Sequence, residues 1–185
     1  CGQDSTFVGE TTAGGNSDTN GRGNFKYTVP TNFKSLCLLN LPTSTVVPQD
    51  YFNTVLYTGN GSGQSITGVG FQPDWIWIKA RNTSSYNPEV YDSARGVHKS
   101  LATASSGAEY SSSTTVTAFN SDGWTMGNNH AGINNNGTTF VAWNWKAGGS
   151  PSSNTDGSVT ANLSANPTAG FSVSTFTSSG SGTFT

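Results

Sequence analysis

The chain has 185 residues, a formal net charge of −2 and only 10% charged residues, whereas soluble domains usually contain about 25%. Aromatic residues make up 11% of the sequence, which excludes a disordered polar segment because such segments are poor in aromatics. The Lys and Arg residues form no cluster, so the sequence predicts binding neither to nucleic acid nor to an anionic membrane surface. It contains no apolar stretch of about 18 residues and therefore predicts no membrane-spanning helix.

Residues 1–42 combine polar loops with short apolar stretches. Apolar and polar residues alternate over residues 24–29, which predicts a half-buried strand. The apolar stretch that follows is too short, and too closely bounded by prolines, to predict a helix. Residues 43–50 are predicted to be a linker, because prolines at both ends of this segment stiffen it towards an extended conformation.

Residues 51–148 alternate short apolar segments with turns rich in Gly, Asn and Asp, without a sustained helical period. Residues 59–63 (GNGSG) supply the turn that a β-hairpin needs after the strand at residues 54–58. Residues 75–78 (WIWI) are apolar on both faces, as in a central strand. These patterns predict an all-β fold of antiparallel, jelly-roll-like β-sandwich modules in tandem, with little or no helix.

The opening of this module recurs in degraded form at the end of the chain. Residues 52–63 align with residues 171–182, and the alignment keeps the aromatic residues and a Gly-Ser-Gly turn in register. Residues 149–170 are then a linker with a short strand, and residues 171–185 begin a further repeat. Chance similarity in a chain rich in Ser and Gly is the alternative. Tandem β modules are typical of extended surface and fibre proteins rather than of compact enzymes.

Five motifs follow one another along the chain: FQPDWIWIK (71–79), YDSARGVHKSL (91–101), FNSDGWTMG (119–127), TTFVAWNWKAGG (138–149) and SSNTDGSV (152–159). In this order they resemble a repeated, functionally uncharacterised module of marine phage structural and tail-fibre-like proteins. Residues 1–42 resemble the C-terminal strands of the SPRY-like, concanavalin-like β-sandwich that often precedes that module.

The resemblance implies a non-enzymatic structural protein of the virion. It would belong to a fibre, spike or other extracellular appendage and would contribute to host attachment. It would associate with copies of itself or with other virion proteins, and a trimer is favoured. The resemblance also places Cys1 within a longer parent chain. Cys1 and Cys37 allow one disulfide, but neither lies in a CxxC motif, so two separate thiols are the preferred interpretation.

The remaining chemistry-bearing residues predict neither an enzyme nor a cofactor or metal site. The carboxylates are scattered, and no spacing selects the carboxylate pair of a glycoside hydrolase. Asp122 and Asp156 each precede a Gly in a turn, where Asp bonds to the local backbone. His98 and His130 are the two histidines of the chain, and they share no pattern of metal ligands.

Trp75 and Trp77 mirror Trp143 and Trp145, because each pair has the pattern W-x-W on one face of a strand. Core packing is the preferred interpretation of both pairs. The alternative is a platform on which sugar rings stack.

Trp124 and Tyr110 adjoin polar loops, which makes them better candidates for exposed rings that stack on a sugar. The Asn-rich loop at residues 128–136 has hydrogen-bond donors and acceptors for glycan hydroxyls, although a plain solvated loop has the same composition. The candidate glycan contacts are Trp124, Tyr110, Asn128, Asn129 and Asn134. They make a carbohydrate-binding adhesin module, on a virion or a bacterial surface, the alternative to a purely structural role.

Overall fold

A computed structural model of the chain describes residues 5–6, 9–42, 46–178 and 180. The chain divides into two compact units, Cys1–Thr45 and Val46–Thr185. The described part of the first unit contains little regular structure, whereas the second unit is built from β-strands.

The first unit lacks the strand that its sequence predicts. A single β-bridge joins Asn16 and Phe25, and one turn of 3-10 helix spans Leu38–Asn40. The prediction of a half-buried strand over residues 24–29 is therefore wrong, and Tyr27 within it is 79% exposed. An amphipathic strand is stable only where neighbouring strands cover its apolar face, and in this segment only Phe25 pairs with another backbone segment.

Asp18 is the polar centre of the first unit. Its carboxylate accepts hydrogen bonds from the backbone N–H groups of Asn20, Arg22 and Ser35, each at 2.9 Å. The side chain of Asn40 donates a further hydrogen bond at 2.6 Å. Burial alone would raise the pKa of Asp18, but the hydrogen bonds outweigh it and hold this pKa well below its usual range.

Apolar side chains remain on the surface of the first unit. Five of them are between 53% and 90% exposed: Phe33, Leu36, Leu38, Leu39 and Leu41. Cys37 is buried, with its Sγ 3.6 Å from the hydroxyl oxygen of Ser35. Cys1 lies outside the described residues, so the state of the two thiols stays a prediction. The SPRY-like assignment of residues 1–42 stays a prediction as well.

The second unit consists of short strands joined by turns. Its strands are β1 (Phe52–Thr58), β2 (Gln64–Ile66), β3 (Trp75–Ala80), β4 (Glu89–Asp92), β5 (Lys99–Ala102), β6 (Tyr110–Ser111), β7 (Val116–Asn120), β8 (Gly123–Met126), β9 (Thr139–Trp145), β10 (Ser152–Asn154), β11 (Ala161–Asn166) and β12 (Phe171–Phe176). One short helix, α1 (Ala131–Asn134), lies between β8 and β9, and a 3-10 turn (Pro48–Asp50) precedes β1.

These strands form antiparallel sheets. The largest has six strands in the order β1-β9-β3-β4-β5-β6, and two three-stranded sheets have the orders β2-β8-β7 and β10-β11-β12. β9 comes late in the chain but lies between β1 and β3, so it ties the beginning of the unit to its middle. The prediction of an all-β, antiparallel fold with little helix is confirmed.

The core lies between the six-stranded sheet and the β2-β8-β7 sheet. Ile76 and Ile78 of β3 pack in one cluster with Trp124 and Met126 of β8, and all four side chains are at most 1% exposed. Since successive side chains of a strand point to opposite faces, β3 has its isoleucines inside and its tryptophans outside. Two sheets that share one core in this way form a β-sandwich.

The Gly-rich turn at residues 59–63 connects two sheets and is not a hairpin turn. β1 pairs with β9 while β2 pairs with β8, so the predicted hairpin is wrong. The local sequence suits a hairpin, but β1 pairs along its whole length with β9, and the Gly59 N–H extends this pairing by donating to the Thr138 carbonyl at 2.9 Å. By contrast, the turn signal at residues 120–123 (NSDG) predicts a hairpin that does form, between β7 and β8, with Asn120 opposite Gly123.

β12 lies in the β10-β11-β12 sheet, in the segment that the sequence assigns to a further repeat. The counterpart of the Gly-Ser-Gly turn falls at residues 180–182, of which the structure describes only residue 180. The assignment of residues 171–185 to a further copy therefore stays a prediction.

Candidate ligand-binding face

The tryptophans of the two W-x-W motifs lie on the outer face of the six-stranded sheet. In β3 the isoleucines are fully buried, while Trp75 and Trp77 are partly buried on the opposite face. The tryptophans of β9 are partly buried as well, and none of these rings belongs to the core. Core packing is therefore wrong for both pairs. We define the aromatic face as Phe52, Trp75, Trp77, Trp143, Trp145 and Phe171.

The tryptophans pair across neighbouring strands. The register places Trp75 opposite Trp145 and Trp77 opposite Trp143. The ring centroids are 4.7 Å apart with the planes at 73° in the first pair, and 5.2 Å apart with the planes at 44° in the second. Such contacts stabilise by about 0.5–1.5 kcal/mol beyond the area that they bury. The rings therefore hold one another in place while remaining partly accessible.

Trp145 is also in contact with two phenylalanines. Its ring centroid lies 4.7 Å from that of Phe52 in β1 and 6.0 Å from that of Phe171 in β12. The Phe171 and Trp145 rings are nearly parallel, with 24° between their planes. The first and last strands of the second unit therefore meet at one indole ring.

Equivalent turns lead into the two phenylalanines. Pro48 and Pro167 occupy matching positions four residues before the phenylalanine in each case. The carbonyl of Pro48 accepts a hydrogen bond from the Tyr51 N–H at 3.0 Å, and the carbonyl of Pro167 accepts one from the Gly170 N–H at 3.3 Å. This local similarity adds a structural feature to the predicted sequence repeat.

A groove of about 350 Å³ lies beside Trp145 at the beginnings of β1 and β12, within the usual size range of ligand pockets, ~300–1,000 Å³. The rings of Tyr51, Phe52, Trp145 and Phe171 form its aromatic walls, and aliphatic and glycine residues complete its lining. In the described part of the chain, no carboxylate, histidine or cysteine lines this groove. Its shape and walls suit the binding of a flat, partly apolar ligand.

Residues 47–185 match a family model described as a domain of unknown function, DUF7483. The chain belongs to the DUF7483 family. The matched segment contains all three sheets and the aromatic face. No curated protein and no solved structure matches the chain.

Trp124 of the DUF7483 domain is completely buried, and its prediction as an exposed glycan contact is wrong. Its ring meets the ring of Tyr57 edge-on, with 6.1 Å between the centroids. The sequence did contain a signal for this position, because Trp124 and Met126 flank Thr125 with the period of a strand that buries one face. The indole N–H of Trp124 has no hydrogen-bond partner among the described residues.

Asn134 is fully buried too, so its prediction as a glycan contact is also wrong. Its side-chain N–H groups donate to the carbonyls of Ser62 and Gly127, at 2.6 and 3.0 Å. Its side-chain oxygen accepts from the Asn60 N–H and the Gln64 side chain, at 3.1 and 3.0 Å. All its hydrogen-bonding capacity thus serves to fasten the Gly-rich turn to the loop after β8.

The other three predicted contacts lie at the surface of the DUF7483 domain. Tyr110 is 53% exposed and stacks on His130, with 5.9 Å between ring centroids and 25° between the planes. Asn128 and Asn129 are exposed as well, and the side chain of Asn128 accepts a hydrogen bond from the Gly63 N–H at 2.5 Å. Through His130 the structure brings Tyr110 to the Asn-rich loop. Contact of these residues with a glycan stays a prediction.

His130 belongs to a polar cluster that sequence reasoning missed. Its Nε2 lies 2.9 and 3.0 Å from the two carboxylate oxygens of Glu89, and the Tyr91 hydroxyl donates to the same carboxylate. Burial, together with the charge of Glu89, raises the pKa of Tyr91 well above its usual range. A Cβ atom at Gly132 would collide with Glu89. Glu89 and His130 lie far apart in the sequence, so no motif spacing could have joined them.

Two further carboxylates, those of Asp74 and Asp122, hold loops of the DUF7483 domain in place. Oδ2 of Asp74 accepts hydrogen bonds from the N–H groups of Ala147 and Gly149, at 2.8 and 3.2 Å. Asp122 accepts from two glycine N–H groups in the loop between β2 and β3, at 3.1 and 2.6 Å. Asp122 does bond to backbone, but the prediction that this backbone is local is wrong, because the two N–H groups belong to a different loop.

In the part of the chain that the structure describes, no group of three or more His, Cys, Asp or Glu side chains is arranged to hold a metal ion. No helix in that part combines the length and the apolarity needed to cross a membrane.

Proposed function

We propose that this DUF7483 protein is a non-enzymatic module of a phage virion, located in a fibre, spike or other extracellular appendage. Its five motifs resemble those of phage structural proteins. The observation that carries the proposal is that Asp74, Glu89 and Asp122 are occupied in holding the fold together. The aromatic groove has no carboxylate in its described lining, whereas a glycoside hydrolase requires two carboxylates across its cleft.

The composition supports an extracellular location. Only 10% of residues are charged, and Ser, Thr and Asn side chains make many hydrogen bonds within and between loops, as at Ser65, Thr125 and Asn134. A densely hydrogen-bonded β protein of this kind suits a protease-resistant appendage. Its partners would be further copies of itself, in a trimer, or other virion proteins, and neither nucleic acid nor membrane.

Two measurements test this proposal. Light scattering coupled to size-exclusion chromatography should give the mass of a homo-oligomer, and a monomer at every concentration would contradict the fibre placement. Incubation with a panel of bacterial and algal polysaccharides should release no reducing ends. Release by the parent that is lost in the Glu89→Gln variant would contradict the non-enzymatic role.

The second candidate function is carbohydrate binding, and the aromatic groove favours it. Sugar rings have a C–H-rich face that packs against aromatic rings, and Trp145 lies beside Phe52, Phe171 and Tyr51 in a groove of about 350 Å³. The Trp75 ring supports that of Trp145 from the neighbouring strand. The rings are therefore held ready for a ligand, which reduces the entropy lost on binding.

A glycan array tests this second function, with four variants. Trp145→Ala should lose binding, while Leu56→Ala, which truncates an exposed apolar side chain outside the groove, should bind like the parent. Tyr110→Ala tests the site predicted from the sequence. Thermal unfolding would verify that each variant is folded, and Tyr51→Ala serves as a milder change in the groove. Binding by none of the proteins, or equal binding by the parent and both groove variants, would contradict the aromatic groove as a glycan site.

A further inference from the structure

We propose that the aromatic groove takes an acidic glycan. A pyranose ring of this glycan stacks on Trp145, and its carboxylate or sulfate group pairs with the ammonium group of Lys146. The inference rests on the proposed carbohydrate-binding function and adds the charge of the ligand to it. Three observations carry it: the position of Lys146 at the groove, the absence of a carboxylate partner for it, and the number of cations at the site.

Lys146 is fixed at the rim of the groove. It directly follows Trp145, and its backbone N–H donates to the carbonyl of Tyr51 at 2.8 Å. Its Nζ lies 5.9 Å from the centroid of the Tyr51 ring, which is within the range of about 6 Å for a cation–π contact. Tyr51 is one of the walls of the groove, whereas Lys146 itself lines the neighbouring depression. The ammonium group therefore lies beside the Tyr51 wall, at the rim of the groove and not inside it.

The charge of Lys146 is available to a ligand. Among the described residues, no Asp or Glu oxygen lies within 4.0 Å of its Nζ. By contrast, Lys99 and Arg95 both pair with Glu109, at 3.3 and 3.1 Å. An ammonium group without a carboxylate partner, at the rim of an aromatic groove, favours an anion as its ligand.

Asp74 shares a neighbouring depression with Lys146 but is already occupied. Its side chain is 2% exposed, and Oδ2 accepts hydrogen bonds from the N–H groups of Ala147 and Gly149. Oδ1 accepts a hydrogen bond from the Ser93 hydroxyl at 2.8 Å. The carboxylate is thus turned towards the backbone that supports the groove, and it leaves the ammonium group for an external anion.

A groove with aromatic walls and one cation suits an acidic sugar better than other anionic ligands. The described lining of the groove contains no Lys or Arg, so Lys146 at the rim is its cation. Nucleic acids and other polyphosphates are bound by several clustered cations. An acidic sugar instead offers one charged group for each flat C–H face, as in a uronic acid or a sulfated hexose. That ratio matches one ammonium group beside one stacked aromatic surface.

The test uses the full chain and an array that contains neutral glycans together with glycans bearing uronate, sialate or sulfate groups. Matched pairs are added: oligogalacturonate with its methyl ester, and a sulfated oligosaccharide with its desulfated form. The parent should prefer the acidic member of at least one pair by about tenfold, a difference of about 1.4 kcal/mol. Raising the NaCl concentration from roughly 50 mM to roughly 500 mM should reduce this preference.

The Lys146→Met variant should lose the preference for the acidic glycan. Its affinity for either member of a pair should equal the affinity of the parent for the neutral member. Lys99→Met is the matched control, because it removes the same charge from β5, a strand that does not contribute to the groove, and it should keep the preference. Equal binding of acidic and neutral members by the parent, or an unchanged preference in Lys146→Met, would overturn the inference while leaving carbohydrate binding intact. Absence of binding to every glycan would overturn both.

Discussion

The two faces of the six-stranded sheet are both apolar, yet they have different structures. On the inner face, Ile76 and Ile78 are fully buried against the second sheet. On the outer face, Trp75 and Trp77 pack against the tryptophans of β9 and stay partly exposed. Branched aliphatic side chains fill the space between two sheets at crystal-like density, whereas paired flat rings can support one another without a cover. A strand with two apolar faces can therefore bury one of them in the core and leave the other partly exposed.

Removing one large ring from each face should give the largest contrast. We expect Trp124→Ala, in the core, to reduce the free energy of unfolding by about 3–5 kcal/mol, because it leaves a cavity. Trp143→Ala, on the outer face, should cost no more than about 2 kcal/mol, because its ring is only partly buried. Urea denaturation of both variants measures the difference. Equal losses would mean that the outer face is as essential to the fold as the core.

Changing Asp74, which anchors the two strands of the outer face, should have the next largest effect on the free energy of unfolding. Asp74 directly precedes β3, and it binds the backbone after β9, so it joins the ends of both tryptophan strands. Asp74→Ala leaves buried N–H groups without partners and should reduce the free energy of unfolding by at least about 2 kcal/mol. Asp156→Ala, in an exposed turn, should stay within about 0.5 kcal/mol of the parent. Similar values for the two variants would remove Asp74 as an anchor.

Changing Asp122, in the turn between β7 and β8, should have a smaller and pH-dependent effect on the free energy of unfolding. Hydrogen bonds from the N–H groups of Gly70 and Gly68 lower the pKa of Asp122 in the folded protein. The carboxylate therefore contributes stability above its unfolded pKa of about 3.9, and this contribution is lost as the pH falls through the lower folded pKa. Asp122→Asn should be less stable than the parent at about pH 7, and this difference should shrink as the pH falls below about 3.9. A constant difference in denaturation midpoint across this range would contradict the assignment.

The smallest effect should come from the part of the outer face that lies away from the groove. Leu56 of β1 is 59% exposed and does not line the groove. We expect Leu56→Ser to change the free energy of unfolding by no more than about 0.5 kcal/mol and to leave glycan binding unchanged. Loss of binding in this variant would extend the binding surface along β1 beyond the groove.

Sequence patterns predicted those parts of the fold that depend on the spacing of apolar and turn residues within one short segment. The apolar run at residues 75–78 predicted a central strand, and the turn before Gly123 predicted the β7-β8 hairpin. The pairing of β1 with β9 could not be predicted in this way, because it joins segments far apart in the chain. For the same reason, the turn at residues 59–63 was predicted to close a hairpin that does not form.

The candidate site was less accessible to sequence reasoning than the fold. The W-x-W motifs placed Trp75 and Trp77 on one face of a strand, but an alternation of two apolar types does not tell which type is inside. The contact of Phe171 with Trp145 depends on how β12 packs, and this contact forms one wall of the groove. The pairing of Glu89 with His130 depends likewise on the tertiary fold.

Phe52 and Phe171 both contact the indole ring of Trp145, and this has a consequence for the arrangement of consecutive copies of the module. If residues 171–185 open a further copy, the starting points of consecutive copies lie on either side of Trp145. A force that pulls these two starting points apart would act directly on the contacts of Phe52 and Phe171 with Trp145, which lie outside the core.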